Sequence, residues 1–223
     1  MSWYPKTIYM CDKTYQFIEK YSQNWKKLNP DFEIELFDDE KCVQFLQDNF
    51  GSIYVDIFKF IPDGPIKADF WRLCILLKRG GIYIDADNEP IVPLHTFLEP
   101  NVDFITCSSY HKNGYYFNPN FIVCKPDNIF IKKAVDIYLD LYENHKDGYT
   151  YLGWSIMDIL SKAMPIKYYF RKEGIYKLKK HKIQIIEERP GKNHWDAHNM
   201  YKGVRVFNNR YASYDANNHK FSM

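Results

Sequence analysis

The chain has 223 residues, of which 46% are hydrophobic and 18% aromatic, and its formal net charge is +2. This length fits one domain, and the apolar content is high enough for a sizeable core. With 30 basic and 28 acidic residues, the charge balance argues against a nucleic-acid binder or a carrier of polyanions. The five cysteines lie far apart and show no zinc-ligand spacing, so we expect buried, reduced thiols.

The sequence shows no signal peptide and no membrane span. The N-terminus lacks a basic start followed by a long apolar core. The longest apolar run, around Phe70–Leu77, is much shorter than the roughly 20 residues that cross a bilayer. Since Asn-x-Ser/Thr acceptor sites are also missing, we expect a soluble cytoplasmic protein. Peripheral contact with a membrane surface stays open.

The first elements alternate between strand and helix. Thr7–Cys11 is a short apolar run that predicts a strand. From Thr14 to Leu28 the apolar residues recur at helical spacing, and Asn29-Pro30 ends this helix because the residue before proline avoids the α region. Glu33–Phe37 alternates as a second strand, and Asp38-Asp39 predicts the cap of the next helix.

The middle of the chain repeats this alternation. Asp63-Gly64-Pro65 opens a helix with proline in its first turn, and Lys78-Arg79-Gly80-Gly81 closes it with cations and a glycine. Further predicted elements are strands at Ile82–Ile84, Phe104–Thr106 and Phe121–Cys124 and a helix at Asp127–Tyr142. Strands interleaved with helices predict an α/β fold with a mostly parallel central sheet flanked by helices.

The most informative stretch is residues 68–90, ADFWRLCILLKRGGIYIDADNEP. Asp69 and Arg72 lie three residues apart on the predicted helix, so they share a face. Two glycines then permit a sharp turn into a short buried strand, which ends at Asp85 and Asp87. Ligands of open α/β sheets gather at the carboxyl ends of strands, where these acids lie.

These four residues suit a nucleotide-sugar donor. A divalent ion neutralises the charge of a diphosphate, and Mn²⁺ or Mg²⁺ prefers carboxylate ligands such as Asp85 and Asp87. Asp69 and Arg72 suit a hydroxyl-rich, negatively charged molecule. Either pair alone is also typical of ordinary solvated surface residues. The combination of helix, Gly-Gly turn and acidic strand end favours a donor site.

The same stretch resembles the donor-binding core of glycosyltransferase family 32, whose members carry a DXD motif. It is also similar to the catalytic domains of the clostridial glucosylating toxins. Residues 24–40, NWKKLNPDFEIELFDDE, match the family's W-x-x-L-N-P-x-(Y/F)-E-x-x-L-(W/F)-D-D run, and Pro5–Ile8 and Asn120–Pro126 match in the family's order. The resemblance implies one GT-A domain over residues 1–223. Its donor-binding part covers about residues 1–130 and its acceptor or closing part about 131–223.

The resemblance also implies roles for matching residues. Asp69 and Arg72 match the helix residues that contact the ribose, base or phosphates of the donor. Tyr83 matches an aromatic residue near the donor. Asp85 matches the first DXD acid, which contacts ribose and sugar hydroxyls, and Asp87 matches the second, which binds the metal.

Five further site residues are candidates. Family members pack an aromatic residue near the end of the first strand against the donor base, and Tyr9 is the candidate here. GT-A enzymes complete the metal site from near the C-terminus, which points to His219 or Asp215, with His194 a further candidate; such late residues are often solvated tail residues instead. Trp154 is a candidate for stacking on the sugar or, equally, a core residue.

The predicted function is metal-dependent transfer of a hexosyl group to an acceptor hydroxyl of a glycan, lipid or protein. The resemblance implies a retaining enzyme and favours a UDP-sugar over a GDP-sugar, while no residue stands out as a nucleophile. Two alternatives stay open, a metal-dependent nucleotide-sugar hydrolase and a non-catalytic sugar-nucleotide-binding module. The basic segment Lys167–Lys182 is typical of a solvated face, and the charge balance argues against nucleic acid as its partner.

Overall fold

One ten-stranded sheet organises the fold. The computed structural model describes residues 3–111, 114–164, 166, 172–191, 196–210, 214–215 and 220–221. The strands of the sheet are β1 (Thr7–Cys11), β2 (Glu33–Phe37), β3 (Gly81–Ile84), β4 (Asn88–Pro90), β5 (Phe104–His111), β6 (Gly114–Cys124), β7 (Gly174–Leu178), β8 (His181–Pro190), β9 (Asp196–Tyr201) and β10 (Val204–Arg210). Two short strands, β11 (Tyr214–Asp215) and β12 (Lys220–Phe221), pair separately with each other.

Seven helices accompany the strands in this part of the chain. They are α1 (Tyr15–Leu28), α2 (Asp39–Phe50), α3 (Ser52–Phe60), α4 (Gly64–Arg79), α5 (Ile129–His145), α6 (Tyr151–Trp154) and α7 (Ile156–Ala163). Local signals set several bounds as predicted: the Asp38 side chain caps α2 by accepting from Lys41 N, and Gly80 ends α4. None of the helices described is long and apolar enough to cross a membrane.

The predicted α/β class is confirmed, whereas the prediction of a mostly parallel sheet is wrong. The strand order is β2-β1-β3-β6-β5-β8-β9-β10-β4, with β7 on β8. In the part of the chain that the structure describes, β1–β2, β1–β3 and β5–β8 pair in parallel and six pairings are antiparallel. For three of these six the reason is connection length, because only a few residues connect β5 to β6, β7 to β8 and β9 to β10, and such short connections reverse the chain.

The sheet is strongly curled. Ile84 ends β3 and Asn88 starts β4, so their Cα atoms lie at most about 15 Å apart along the chain. In the strand order, however, five strands separate β3 from β4, which in a flat sheet places them roughly 29 Å apart. The sheet therefore bends until its edge strand β4 lies near the end of β3, across the loop Asp85–Asp87.

The sheet buries an apolar cluster on each face. Tyr9 and Tyr83 belong to the cluster beneath α2–α5 and α7. Ile8 and Ile82, their neighbours in the alternating strand pattern, belong to the cluster beneath α1. The described part of the basic segment forms β7 and its turn into β8, where Lys177 and its neighbours 179, 180 and 182 are exposed. This agrees with the predicted solvated face.

Candidate active site

A cleft of about 730 Å³ opens at the carboxyl ends of β1 and β3 and beside the start of α4. Its lining includes Asp12, Asp39, Asp69, Arg72, Tyr83, Asp85, Asp87 and Asn118. Five of these were predicted as site residues from the sequence. The structure brings all five into one cleft.

The Gly80-Gly81 turn fixes how α4 delivers β3 to the cleft. Both glycines have left-handed φ values, 62° and 99°, which residues with a Cβ rarely adopt. A Cβ on Gly80 would also lie 2.5 Å from Pro126 N, and one on Gly81 would lie 2.8 Å from the Thr7 carbonyl oxygen. The turn thus needs glycine for both its conformation and its close packing.

Arg72 is the central cation of the site. Its Nη2 lies 3.0 Å from Asp69 and 2.9 Å from Asp85, and its Nη1 donates to the Pro119 carbonyl oxygen at 2.8 Å. Its guanidinium stacks over the Tyr83 ring, 4.3 Å from the centroid. Arg72 is buried, so these contacts leave its side chain in one fixed position.

Asp69 also joins the second half of the chain to the site. Its Oδ2 accepts a hydrogen bond from Ile156 N at 3.1 Å, in the first turn of α7. Ile156 and Met157 line the cleft together with Tyr151. The region after residue 130 thus contributes directly to the wall of the cleft.

The loop Asp85–Asp87 is held by backbone contacts. The Asn120 carbonyl oxygen accepts from Asp85 N at 2.9 Å and from Asn88 Nδ2 at 3.0 Å, so β6 supports both ends of the loop. On the other side, Trp25 Nε1 donates to the Asn88 carbonyl oxygen at 2.9 Å. This bond gives the tryptophan of the W-x-x-L-N-P motif a physical role, because it ties α1 to the loop.

Asp87 has the properties of a metal ligand. The residue is buried, and its Oδ2 finds no hydrogen-bond partner in the described part of the chain. A buried carboxylate oxygen without a partner is costly unless a ligand satisfies it, and a hard divalent cation prefers such an oxygen. No cluster of three acidic, histidine or cysteine side chains suitable for a metal occurs among the described residues. Donor phosphates and residues outside that set would have to supply the other ligands.

Burial and surplus negative charge shift the ionisation of the site. Burial raises the pKa of the Asp87 carboxyl to about 7, and the charges of Asp85 and Glu188 add to this effect. Burial also raises the pKa of Asp69 to about 7, although Arg72 opposes the shift, and it raises the pKa of Asp85. Burial alone lowers the pKa of Arg72, but the neighbouring carboxylates raise it above its ordinary value, so the guanidinium stays charged. The surplus of carboxylates suits a divalent cation.

The structure does not support the predicted roles of Tyr9 and Trp154. Tyr9 is 2% exposed and lies two residues, about 7 Å, before the end of β1. Its ring packs against Phe37 and does not line the cleft. Trp154 is 1% exposed and packs between Phe60 and Tyr149. Tyr9 is a core residue because the alternation of side chains in β1 directs its ring to the face beneath α4. Trp154 was predicted either to stack on the sugar or to lie in the core, and it lies in the core.

The predicted third metal ligand lies beyond what the structure describes. His219 and His194 are outside the described residues, and for Asp215 only the backbone of β11 is described. These candidates stay predictions.

Sequence reasoning missed several polar residues at the site. Asn118, Asn120, Glu188 and Asn209 lie within β6, β8 and β10, and the last three are buried. A signal exists, because polar residues inside otherwise apolar strands are rarely buried without a specific partner. Which of them meet depends on the curl of the sheet, which a linear pattern does not show.

A known protein family matches the part of the chain that forms most of this site. Residues 17–104, which run from α1 to the start of β5, match the model of the glycosyltransferase sugar-binding region containing the DXD motif. This region is therefore similar to the sugar-binding region of that glycosyltransferase family. It contains Asp69, Arg72, Tyr83, Asp85 and Asp87, and the predicted resemblance is confirmed.

Curated relatives match the same part of the chain. The initiation-specific alpha-1,6-mannosyltransferase of Candida albicans is 30% identical over 81 residues, which are 35% of this chain and 21% of that protein. Uncharacterized glycosyltransferase L373 of Acanthamoeba polyphaga mimivirus is 37% identical over 70 residues, 31% of this chain and 28% of that protein. The chain thus spans only about a quarter of the length of these relatives.

A solved structure shares the fold. The PaToxG glycosyltransferase superposes with a TM-score of 0.56, at 18% sequence identity, over 72% of this chain and 68% of that chain. The predicted GT-A type of glycosyltransferase fold is confirmed by this likeness.

Proposed function

We propose that the chain transfers a sugar from a nucleotide-diphosphate sugar to an acceptor hydroxyl, with a divalent metal ion bound at Asp87. The observation that carries this proposal is the buried Oδ2 of Asp87, which has no hydrogen-bond partner among the described residues and lies in a cleft shared with Asp85 and Arg72. The match of residues 17–104 to the model of a glycosyltransferase sugar-binding region supports it.

Each site residue has a task in this mechanism. Asp87 holds Mn²⁺ or Mg²⁺, which neutralises the diphosphate when bound. Arg72 stays charged and fixed, so it adds positive charge where the phosphate leaves, and it orients Asp85 towards donor hydroxyls. Asp69 receives a hydrogen bond from α7 and keeps that helix against the donor. Retention of the anomeric configuration is the proposed outcome, with no side chain assigned as nucleophile.

The two parts of the chain divide the substrates in this proposal. Residues 1–130 bind the donor, and residues 131–223, which contribute Ile156 and Met157 to the cleft wall, close it on the acceptor side. Because the C. albicans relative is a mannosyltransferase, mannose is the first sugar to test. For the nucleoside of the donor, the comparison is between uridine, which the family resemblance favours, and guanosine.

The test is thermal stabilisation by a panel of UDP- and GDP-sugars with and without Mn²⁺. We expect one donor to raise the Tm in the presence of Mn²⁺; at 100 times the Kd the stabilisation is about 2.7 kcal/mol. Asp87→Ala should lose the metal-dependent part, whereas Glu89→Gln, two residues further on β4, should keep it. If every donor fails, or if Asp87→Ala responds like the wild type, the proposal is wrong.

Turnover separates transfer from hydrolysis and from simple binding. A glycosyltransferase releases nucleotide much faster once acceptor sugars, lipids or peptides are added. A nucleotide-sugar hydrolase releases nucleotide at the same rate without them, and a binding module releases none.

A further inference from the structure

Glu188 lies at the centre of a set of side-chain amides that extends from the cleft surface into the buried sheet. Its Oε2 accepts hydrogen bonds from Asn118 Nδ2 at 2.9 Å and from Asn120 Nδ2 at 3.4 Å, both on β6. It also accepts from Asn209 Nδ2 on β10. Glu188 is only 8% exposed, and three amide donors provide the stabilisation that a buried carboxylate needs.

These contacts exist because the sheet is curled. Between β6 and β8 lies β5, and between β8 and β10 lies β9. Side chains on alternate strands of a flat sheet start roughly 10 Å apart, too far for three short asparagines to share one oxygen. The bend brings them together, so Glu188 joins the two parts of the sheet that flank the loop Asp85–Asp87.

Glu188 reaches this loop by two routes. On one side, Asn120 donates to Glu188 with its side chain, while its carbonyl oxygen accepts from Asp85 N and from Asn88 Nδ2. On the other side, Asn209 is the register partner of Asn88, the residue that follows Asp87. Both ends of the metal-binding loop are therefore tied to one carboxylate.

The charge of Glu188 acts in the same place. Its amide partners connect this carboxylate to both ends of the loop that holds Asp87. A second negative charge behind a metal ligand attracts a cation. Asn118, which donates to Glu188, also lines the cleft, so the network extends to the donor surface.

We propose that Glu188 is a positioning residue for the metal: through Asn118, Asn120 and Asn209 it fixes the loop Asp85–Asp87 and adds negative charge behind Asp87. The inference rests on the proposed function, because it assumes a divalent ion at Asp87. Outer-shell partners of this kind typically change metal affinity by about 10- to 100-fold.

The test measures metal binding and not only turnover. Mn²⁺ is titrated into wild-type protein and into Glu188→Gln, and free Mn²⁺ is followed by electron paramagnetic resonance, first alone and then with UDP or GDP. We expect the Kd for Mn²⁺ to rise about 10-fold or more in Glu188→Gln. The Kd for the nucleotide without metal should stay unchanged.

Glu187→Gln is the matched control. Glu187 is the neighbouring, equally buried carboxylate on β8, but it accepts from Arg189 Nε at 3.1 Å and points to the other face of the sheet. Its substitution removes the same charge from the same strand and should leave the Kd for Mn²⁺ within twofold. If Glu188 has a merely structural role, Glu188→Gln and Glu187→Gln should lose similar amounts of Tm, and Glu188→Gln should show no selective loss of Mn²⁺ affinity.

A second variant decides the matter if Glu188→Gln fails to fold. Asn118→Ala removes one of the amides at the cleft surface and should raise the Kd for Mn²⁺ by more than the twofold allowed to the Glu187→Gln control. If the foldable variants bind Mn²⁺ as tightly as the wild type, the role of Glu188 is wrong while the proposed function stands. If the wild type itself binds no Mn²⁺ with either nucleotide, both proposals are wrong.

Discussion

The guanidinium of Arg72 lies 2.9 Å from the carboxylate of Asp85, so the middle of α4 is tied directly to the first acid of the DXD motif. The same Nη2 is 3.0 Å from Asp69. One buried cation thus sets the relative positions of two carboxylates from different elements. This makes the spacing between helix and strand, and not the acidic motif alone, the feature that defines the site.

Removing Arg72 should destabilise the protein strongly. Arg72→Met leaves Asp69 and Asp85 without their cation, and breaking a buried ion pair from one side costs about 3–5 kcal/mol. Arg79→Met is the control, because Arg79 forms a surface pair with Glu35 whose loss costs about 0–1 kcal/mol. Urea denaturation measures both. Equal losses in the two variants would contradict the central role of Arg72.

The Gly80-Gly81 turn should not tolerate a side chain. Gly80→Ala forces a positive φ and a Cβ contact of 2.5 Å with Pro126, so we expect a loss of about 2 kcal/mol or more and weaker donor binding. In Gly64→Ala the new Cβ meets nothing within 4 Å, and stability should be unchanged or slightly higher. A Gly80→Ala protein as stable as Gly64→Ala would show that the turn is not constrained.

Asp69 should make the metal-free protein less stable as the pH rises. The folded state holds the Asp69 proton up to a pKa of about 7, whereas the ordinary value is 3.8. Between these values the folded state binds more protons than the unfolded state, so the free energy of unfolding falls with increasing pH. Asp69→Asn should flatten this slope between the ordinary pKa of 3.8 and the folded pKa of about 7, measured by urea denaturation at each pH. An unchanged slope in Asp69→Asn would exclude the shift.

Replacing Trp25 should weaken donor binding at the site as well as lower the stability of the protein. Trp25→Phe removes the Nε1 bond to the Asn88 carbonyl oxygen and should cost about 1–2 kcal/mol. Trp3→Phe is matched, because Trp3 Nε1 donates to the Glu99 carbonyl oxygen at 3.0 Å, away from the cleft. We expect Mn²⁺-dependent thermal stabilisation by the donor to weaken only in Trp25→Phe. The same weakening in both variants would reduce Trp25 to a general packing role.

The unit from α4 to β3 could be predicted because its signals are local. Proline in the first turn, cations in the last turn and the Gly-Gly turn all lie in one stretch, and they placed Asp69, Arg72, Asp85 and Asp87 correctly in one cleft. Whether the later strands pair in parallel or antiparallel depends on the lengths of their connections, in a region where the alternation of apolar and polar residues is weak. The prediction of a mostly parallel sheet failed for that reason.

The rest of the site depends on contacts that are distant in sequence. Glu188 meets Asn120 from 68 residues away and Asn209 from 21 residues away, and only the curl of the sheet brings them together. Tyr9 illustrates the same limit at short range. Its position near the end of β1 is plain in the sequence, but strand alternation and the placement of α4 decide that its ring lies in the core.

The closure of the sheet at β10 and β4 has a consequence for the order in which the site is made. The acids of the DXD motif are synthesised early, yet the register between Asn88 and Asn209 forms only after more than a hundred further residues have left the ribosome. Contacts of such long sequence separation form late and slowly. A nascent chain that ends before β10 therefore carries the complete motif without its geometry, and competence to bind metal should arise only when the final strands dock.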